Sequence, residues 1–351
     1  MCLIWRLRWC GPTRPPLPLA DVPPSVKIHP VAIRAGHVGK VFFEQVQFPR
    51  ACRAIAADVA HVPYWGAPLR SAIPLVVTIH DVIPLLVPAY QNTAASRLYN
   101  ALVSASARGA THIITDSRAS QADIVRLLGV PETLVSPIYL GVGSEFTPND
   151  NFLLDMAIRQ KYKLPDSYVL YLGGYALHKN IAQLLLAYTY VAQAMGEDYP
   201  LVLAGTKPAV SPPQFPDYEA YIEKLGLTKM VRWIGYVEEA DKPVIYRSAE
   251  CFVFPSRYEG FGFPPLEAMA CNVPVVTTAA PGIEEVVGDA AMAVDPDDER
   301  QLGGAIIATL IQENLAADLR AKGTARAREF TWEKTMAATL AVYEQVVGGS
   351  G

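Results

Sequence analysis

The fold is decided by residues 250–270, which read Glu-Cys-Phe-Val-Phe-Pro-Ser-Arg-Tyr-Glu-Gly-Phe-Gly-Phe-Pro-Pro-Leu-Glu-Ala-Met-Ala. Residues 250–255 form a short apolar run with aromatic and β-branched side chains, which predicts a buried parallel strand. Residues 266–270 are strong helix formers, and Pro264 and Pro265 fit a first helical turn, where a missing N–H group costs nothing. The order strand, glycine loop, helix predicts an α/β fold.

The glycine loop has the chemistry of a diphosphate site. Gly260 and Gly262 allow the backbone to approach a ligand, and a helix start offers unpaired N–H groups and a positive dipole end. Glu259 and Glu267 suit hydroxyl-rich groups instead, because one carboxylate accepts two hydroxyl hydrogen bonds. Together they suggest a sugar nucleotide. The alternative is an ordinary helix start, where acidic residues are favoured by the dipole.

Seven residues separate Glu259 from Glu267, within Pro-Ser-x-Tyr-Glu-Gly-Phe-Gly-x-Pro-Pro-Leu-Glu-Ala-Met-Ala. This pattern resembles the signature of the family 4 retaining glycosyltransferases of the GT-B fold, a mannosyltransferase-like group also called glycosyl transferases group 1. The resemblance covers residues 58–347 and is strongest in residues 169–296. It implies two Rossmann-like, doubly wound domains that face each other across a cleft.

The length and the alternating strand and helix patterns suit two α/β domains. We expect an irregular Pro-rich leader in residues 1–27 and an N-terminal, acceptor-side Rossmann-like domain in residues 28–148. A C-terminal Rossmann-like, nucleotide-sugar-binding domain is expected in residues 149–329. The resemblance implies that a terminal helix in residues 330–351 crosses back to the N-terminal domain.

The N-terminal domain is expected to be incomplete. Family members begin it with a strand and a glycine-rich loop, and neither pattern occurs in the first thirty residues or so. The segment 35–39 (Ala-Gly-His-Val-Gly) has no apolar strand before it. We therefore expect a truncated or misannotated amino terminus.

The resemblance implies three catalytic residues. Glu259 is expected to contact hydroxyls of the donor sugar. Lys179 matches the lysine of the family pattern Gly-Arg-Leu-x-x-x-Lys and is expected to pair with the diphosphate as a point charge. His80, which follows the predicted strand 74–79, resembles a histidine that approaches the donor sugar. The alternatives are a solvated loop lysine and a structural, hydrogen-bonded histidine.

The resemblance also implies a set of donor-binding residues: Gly173, Gly174, Lys179, Gly260, Phe261, Gly262, Phe263 and Glu267. Glu267 is expected to bind the ribose hydroxyls, and the amides of residues 260–263 to face the phosphates. Gly174 replaces the arginine of the family pattern, which removes one cation from the phosphate site. Arg257 is close in sequence but occupies a variable position of the motif.

Two further residues carry weaker expectations. Asp81 follows His80 directly and is expected to fix the tautomer of its imidazole ring. Glu285 matches a recurring family glutamate, although an exposed carboxylate at a helix start explains it equally well. No Asp-x-Asp pattern is present, so we expect no metal and no cofactor besides the nucleotide-sugar substrate.

Composition excludes several classes of protein. The chain is 51% hydrophobic and 18% charged with a net charge of −4, which is typical of a globular protein and gives no sign of nucleic-acid binding. Five scattered cysteines without a Cys-x-x-Cys pair favour a reducing cytoplasm. Residues 1–10 contain two tryptophans and two arginines, which suggests peripheral contact with the inner membrane face; a poorly ordered terminus is the alternative.

The sequence therefore predicts a retaining hexosyltransferase that acts on a nucleotide-sugar donor. We expect transfer of mannose from GDP-mannose to a glycan or a lipid-linked saccharide during polysaccharide assembly. The alternatives are a truncated, catalytically impaired nucleotide-sugar-binding protein, and a phosphorylase or epimerase on the same fold.

Overall fold

The computed structural model describes residues 36–149, 151–207, 209 and 214–348. The predicted leader in residues 1–27 and the proposed membrane contact of residues 1–10 lie outside the described residues. The same holds for the stretch in which the missing first strand and glycine loop were expected.

The first domain is built on a parallel sheet of four strands in the order β1-β2-β3-β4. Its strands are β1 (Ala60–Val62), β2 (Leu75–Thr78), β3 (His112–Thr115) and β4 (Val135–Pro137). Its helices are α1 (His37–Phe42), which continues through a π-helical segment (Phe43–Gln47) into α2 (Phe48–Ala54), then α3 (Ile83–Leu86), α4 (Ala94–Arg108) and α5 (Arg118–Leu128). Short 3₁₀ turns cover Pro88–Gln91 and Glu132–Leu134.

The second domain is built on a parallel sheet of six strands in the order β10-β9-β8-β5-β6-β7. Its strands are β5 (Val169–Leu172), β6 (Leu201–Ala204), β7 (Val231–Gly235), β8 (Cys251–Phe254), β9 (Val275–Thr278) and β10 (Met292–Val294). Its helices are α6 (Phe152–Lys161), α7 (Ile181–Met195), α8 (Tyr218–Lys224), α9 (Lys242–Arg247), α10 (Phe263–Ala270), α11 (Ile283–Val287), α12 (Glu299–Ile311) and α13 (Glu313–Ala327). Short 3₁₀ turns cover Leu177–Lys179 and Glu239–Asp241.

The central strands are buried on both faces, as their continuous apolar runs predict. Every residue of β2, β3, β5, β6, β8 and β9 is buried. Helices cover both faces of such a sheet, since the crossover between parallel strands is usually a helix. The predicted α/β fold with two parallel, doubly wound sheets is confirmed.

Helix α14 (Trp332–Gly348) packs on the first sheet, although it follows the second domain in the chain. Val342 and Val346 pack in one cluster with Val76 of β2 and Ile114 of β3. The hydroxyl of Tyr343 lies 2.5 Å from Nδ1 of His61. The last helix thus joins the two domains. In the part of the chain that the structure describes, no helix is long and apolar enough to cross a membrane.

Candidate active site

The carboxyl ends of the two sheets meet at Gly260. A Cβ atom on Gly260 would lie 2.6 Å from the carbonyl oxygen of His80, so only glycine allows this approach. The hydroxyl of Ser120 lies 3.1 Å from the carbonyl oxygen of His80 and 3.2 Å from that of Gly260. In parallel sheets ligands bind beyond these strand ends, so this meeting place is the candidate site.

Lys179 and Glu259 form the centre of the second-domain side. Nζ of Lys179 lies 2.7 Å and 3.0 Å from the two carboxylate oxygens of Glu259. The side chains are only 18% and 12% exposed, and Nζ also lies 5.3 Å from the centroid of the Phe254 ring. The structure thus brings together two predicted residues that are 80 positions apart. A partly buried ammonium group held by one carboxylate is positioned to be shared with an incoming anion.

Glu267 lies one turn into α10 and is held by a neighbouring helix. The hydroxyl of Tyr246, on α9, donates to Oε2 of Glu267 at 2.7 Å. Burial raises the pKa of the Glu267 carboxyl, although Lys242 opposes the shift. Tyr246 is fully buried. The carboxylate is therefore fixed in direction, which lowers the cost of ordering it on a ligand.

The glycine loop presents its backbone, while its aromatic side chains are structural. Gly262 precedes α10 with φ = 129°, a conformation that favours glycine. The ring of Phe261 is buried and packs on Tyr139 and Phe330, and the ring of Phe263 packs on Trp332. Because proline lacks an N–H group, Pro264 and Pro265 donate nothing at the helix start. Within residues 260–265, the backbone N–H groups that can donate to a ligand are therefore those of residues 260–263.

Gly173 and Gly174 follow β5 and differ in their surroundings. A Cβ atom added to Gly205 would lie 2.2 Å from the carbonyl oxygen of Gly173, so the backbones after β5 and β6 are in close contact. At Gly174 an added Cβ would meet nothing within 4 Å. In the family that the sequence resembles, an arginine occupies this position. In this chain the space beside Gly174 is open.

His80 is oriented by Asp116, and the expectation for Asp81 was wrong. Nδ1 of His80 lies 2.7 Å from Oδ2 of Asp116, and this hydrogen bond raises the pKa of the imidazole. Asp81 instead accepts the backbone N–H of Ile83 at 2.9 Å, in the turn that starts α3. Adjacent residues on an extended chain point in opposite directions, so the neighbouring strand supplies the partner.

Glu285 makes contacts that the sequence did not predict. Its carboxylate accepts the backbone N–H groups of Arg118 at 2.9 Å and Ala119 at 2.7 Å, and the hydroxyl of Tyr139 at 2.9 Å. The first turn of α5 has unpaired N–H groups and a positive dipole end, which a carboxylate satisfies. Glu285 therefore bridges the two domains and is not a solvated carboxylate.

Other polar contacts across the cleft were also missed. The hydroxyl of Tyr90 lies 2.6 Å from Nδ1 of His178, and the hydroxyl of Tyr258 donates to Asp123 at 2.5 Å. Placement was a signal for His178 and Tyr258, which lie in the segments that follow β5 and β8, whereas Tyr90 lies in the turn after α3 and carried no signal. These contacts connect the two domains across the cleft.

Arg257 is bound by its own domain. Its Nε donates to Oδ1 of Asn180 at 3.1 Å, and its guanidinium pairs with Asp297 at 2.5 Å. In the described residues no group of three or more His, Cys, Asp or Glu side chains is placed to hold a metal ion. Metal-independent chemistry remains an expectation.

Two family models match the chain in consecutive parts. "Glycosyltransferase Family 4" matches residues 5–146, and "Glycosyl transferases group 1" matches residues 156–326. O-antigen chain mannosyltransferase B of Escherichia coli is 33% identical over 272 residues, which cover 77% of this chain and 70% of that relative. The chain belongs to glycosyltransferase family 4. It is a nucleotide-sugar-dependent hexosyltransferase, and the resemblance found in the sequence is confirmed.

Further relatives agree with this assignment. The serotype-specific mannosyltransferase WbdA of Escherichia coli is 29% identical over 263 residues, which cover 74% of this chain but only 32% of WbdA. Among solved structures, sucrose-phosphate synthase from Thermosynechococcus elongatus matches with a TM-score of 0.72 at 23% identity, covering 91% of this chain and 83% of that one. The lipopolysaccharide glycosyltransferase WaaG matches with a TM-score of 0.71 at 17% identity, covering 93% and 88%. The predicted GT-B fold is confirmed.

Proposed function

We propose that this family 4 glycosyltransferase transfers mannose from GDP-mannose, with retention at the anomeric carbon, to a glycan or lipid-linked saccharide. The observation that carries the proposal is the Lys179–Glu259 pair at the carboxyl edge of the second sheet, opposite His80. Mannose and a polysaccharide acceptor are supported by relatives described as O-antigen chain mannosyltransferases.

The leaving diphosphate is stabilised from two directions. Lys179 moves part of its interaction from Glu259 to the β-phosphate, and the amides of residues 260–263 donate to the phosphate oxygens. Both groups are in place before negative charge develops on the leaving group, so little reorganisation is needed in the transition state. As Lys179 turns to the phosphate, Glu259 becomes free to accept hydroxyl groups of the sugar.

The remaining residues orient the donor. Glu267, fixed by Tyr246, accepts hydroxyls of the ribose. His80 faces the sugar from the first domain, and the contacts of Gly260 and Glu285 bring that domain into position. The acceptor hydroxyl approaches from the first-domain side of the cleft.

The experiment has two stages. Calorimetric titration with GDP, UDP and ADP identifies the base, and we expect GDP to bind most tightly. GDP-mannose is then incubated with a lipid-linked oligosaccharide, and the anomeric configuration of the product is read by NMR. An α-linked mannosyl product, formed with retention, supports the proposal.

Other outcomes contradict it. Preference for UDP and transfer of glucose would overturn the choice of donor, and an inverted anomer would overturn retention. Binding of GDP-mannose without any turnover would favour the alternative of a nucleotide-sugar-binding protein. The variant Glu250→Gln serves as a control, because Glu250 lies at the opposite, amino-terminal end of β8.

A further inference from the structure

His80 and Asp116 lie side by side because of strand register. In the parallel pairing of β2 with β3, Thr78 lies opposite Ile114. Two residues beyond this pair the chain has passed the ends of both strands and reaches His80 after β2 and Asp116 after β3. Nδ1 of His80 and Oδ2 of Asp116 are 2.7 Å apart. The sheet thus fixes the contact between an exposed imidazole and a buried carboxylate, whose side chains are 53% and 5% exposed.

The carboxylate of Asp116 has few other partners. Its Oδ1 atom is buried and has no hydrogen-bond partner among the described residues. Burial of a charged oxygen without a partner is costly, so the arrangement needs a compensating interaction. Part of it comes from α5, since Asp116 precedes the helix cap Ser117 and the positive dipole end favours a nearby anion. The hydrogen bond with His80 supplies the other part of this compensating interaction.

We propose that Asp116 is a positioning residue for glycosyl transfer: it keeps Nδ1 of His80 protonated and leaves the Nε2 edge for the donor sugar. The inference rests on the proposed function, in which His80 faces that sugar. A carboxylate that accepts from one ring nitrogen selects the tautomer and orients the ring. The one hydrogen-bond contact of Nε2 within the described chain is the carbonyl oxygen of Pro63, at the long distance of 3.3 Å. Because a carbonyl oxygen only accepts, this contact forms when Nε2 also carries a proton, whereas the shorter contact with Asp116 holds the proton of Nδ1 in the neutral ring as well.

The charges around His80 determine how its protonation follows pH. Asp116 raises the pKa of His80 mainly through their hydrogen bond, burial opposes this shift, and Asp81 adds to it. His61 of β1 acts on His80 from the neighbouring strand, and Glu259 faces Asp81 across the cleft. Removing the charge of Asp116 is therefore expected to lower the pKa of His80.

The test combines NMR with kinetics. Long-range ¹H–¹⁵N spectra of the wild-type chain should show Nδ1 of neutral His80 carrying the proton. In Asp116→Asn the pKa of His80 should fall, kcat should fall about 10-fold, and KM for GDP-mannose should change less than about twofold. The acidic limb of the pH profile of kcat should shift with the pKa. Asp116→Glu, which keeps the charge, should recover part of the loss.

Matched variants make the test specific. Asp58→Asn removes an exposed first-domain carboxylate and should leave kcat, KM and the His80 titration unchanged. In a His80→Ala background, Asp116→Asn should have no further effect on kcat, since the two residues act as one unit.

Three results would overturn the proposal. One is wild-type His80 with its neutral proton on Nε2; another is an unchanged His80 titration in Asp116→Asn; the third is a full kcat in Asp116→Asn or His80→Ala. Failure of the proposed function gives a different result. The wild-type chain then turns over no GDP-mannose, while the NMR spectra still show the hydrogen bond between His80 and Asp116.

Discussion

The two sides of the cleft are assembled in different ways. On the second-domain side, Glu259, Glu267 and the loop amides come from nine consecutive residues, 259–267, which run from the loop after β8 into the first turns of α10. On the first-domain side, His80 and Asp116 are 36 positions apart and meet only because β2 pairs with β3. Local backbone geometry is enough to form the binding loop. The orientation of His80 instead depends on the sheet, because strand pairing brings Asp116 beside it.

The two sides also differ in what holds them. The second-domain carboxylates are held within their own domain, Glu259 by Lys179 and Glu267 by Tyr246. The position of the first domain against them depends on contacts that cross the cleft, and above all on Glu285. Substitutions on the second-domain side should therefore change chemistry and affinity directly, whereas those at the crossing contacts should change closure.

The largest effect is expected for substitutions of Glu259 and Glu267, one of which should change kcat and the other the affinity for GDP-mannose. Glu259→Gln should lower kcat about 100-fold or more, because it alters contacts to the reacting sugar and leaves Lys179 without its partner. Glu267→Gln should instead weaken GDP-mannose binding about 10-fold, with little change in kcat. Steady-state kinetics and calorimetry separate the two. Equal, negligible effects of both variants would remove the site assignment.

Loss of the bridge between domains should have the next largest effect. Glu285→Gln keeps the shape but weakens the charge-assisted bonds to the first turn of α5, so the closed arrangement should be less populated. We expect kcat/KM to fall about 10-fold, and small-angle X-ray scattering to report a larger radius of gyration. Glu284→Gln, at an exposed neighbouring position, is the control. Identical scattering and kinetics for the two variants would contradict the bridging role.

Adding a cation on the second-domain side should strengthen nucleotide binding, whereas the preceding substitutions weaken the site. Gly174→Arg places a guanidinium group in open space beside the predicted phosphate site, where an arginine can form a bidentate contact. GDP should bind about fivefold more tightly, with a steeper dependence on salt concentration. Gly174→Gln, which adds a shorter and neutral polar side chain, should not show this gain. Unchanged or weaker GDP binding in the arginine variant would place the phosphate elsewhere.

The smallest effect on activity is expected at His61, which contacts the helix that joins the domains and should change stability instead. Burial, and secondarily the charge of His80, lowers the pKa of His61 to about 4. The unfolded chain protonates this histidine near pH 6.5, so between about pH 6.5 and 4 the unfolded state binds more protons and folded stability falls as pH falls. His61→Gln should remove about 3 kcal/mol of this pH dependence. Urea denaturation at several pH values in this range measures the free energy of unfolding. If that free energy changed with pH equally in wild type and variant, the assignment to His61 would be refuted.

The sequence by itself determined the local parts of this protein. The strand, glycine loop and helix of residues 250–270 were predicted from apolar content, two glycines and two prolines, and the structure places β8 and α10 there. The same local reasoning gave the strand before His80, which was predicted over residues 74–79 and is observed as β2 (Leu75–Thr78). These features depend on residues a few positions apart, whose spacing is fixed by backbone geometry.

Only the tertiary structure decided which distant groups become partners. Nothing in the run from Thr78 to Asp81 says that Asp116 orients His80, since that contact requires the register of two strands. The partners of Glu285, 167 and 166 positions away, exist only when the two domains close on each other. Such contacts carry no periodic signal along the chain, because they depend on how whole sheets and domains pack.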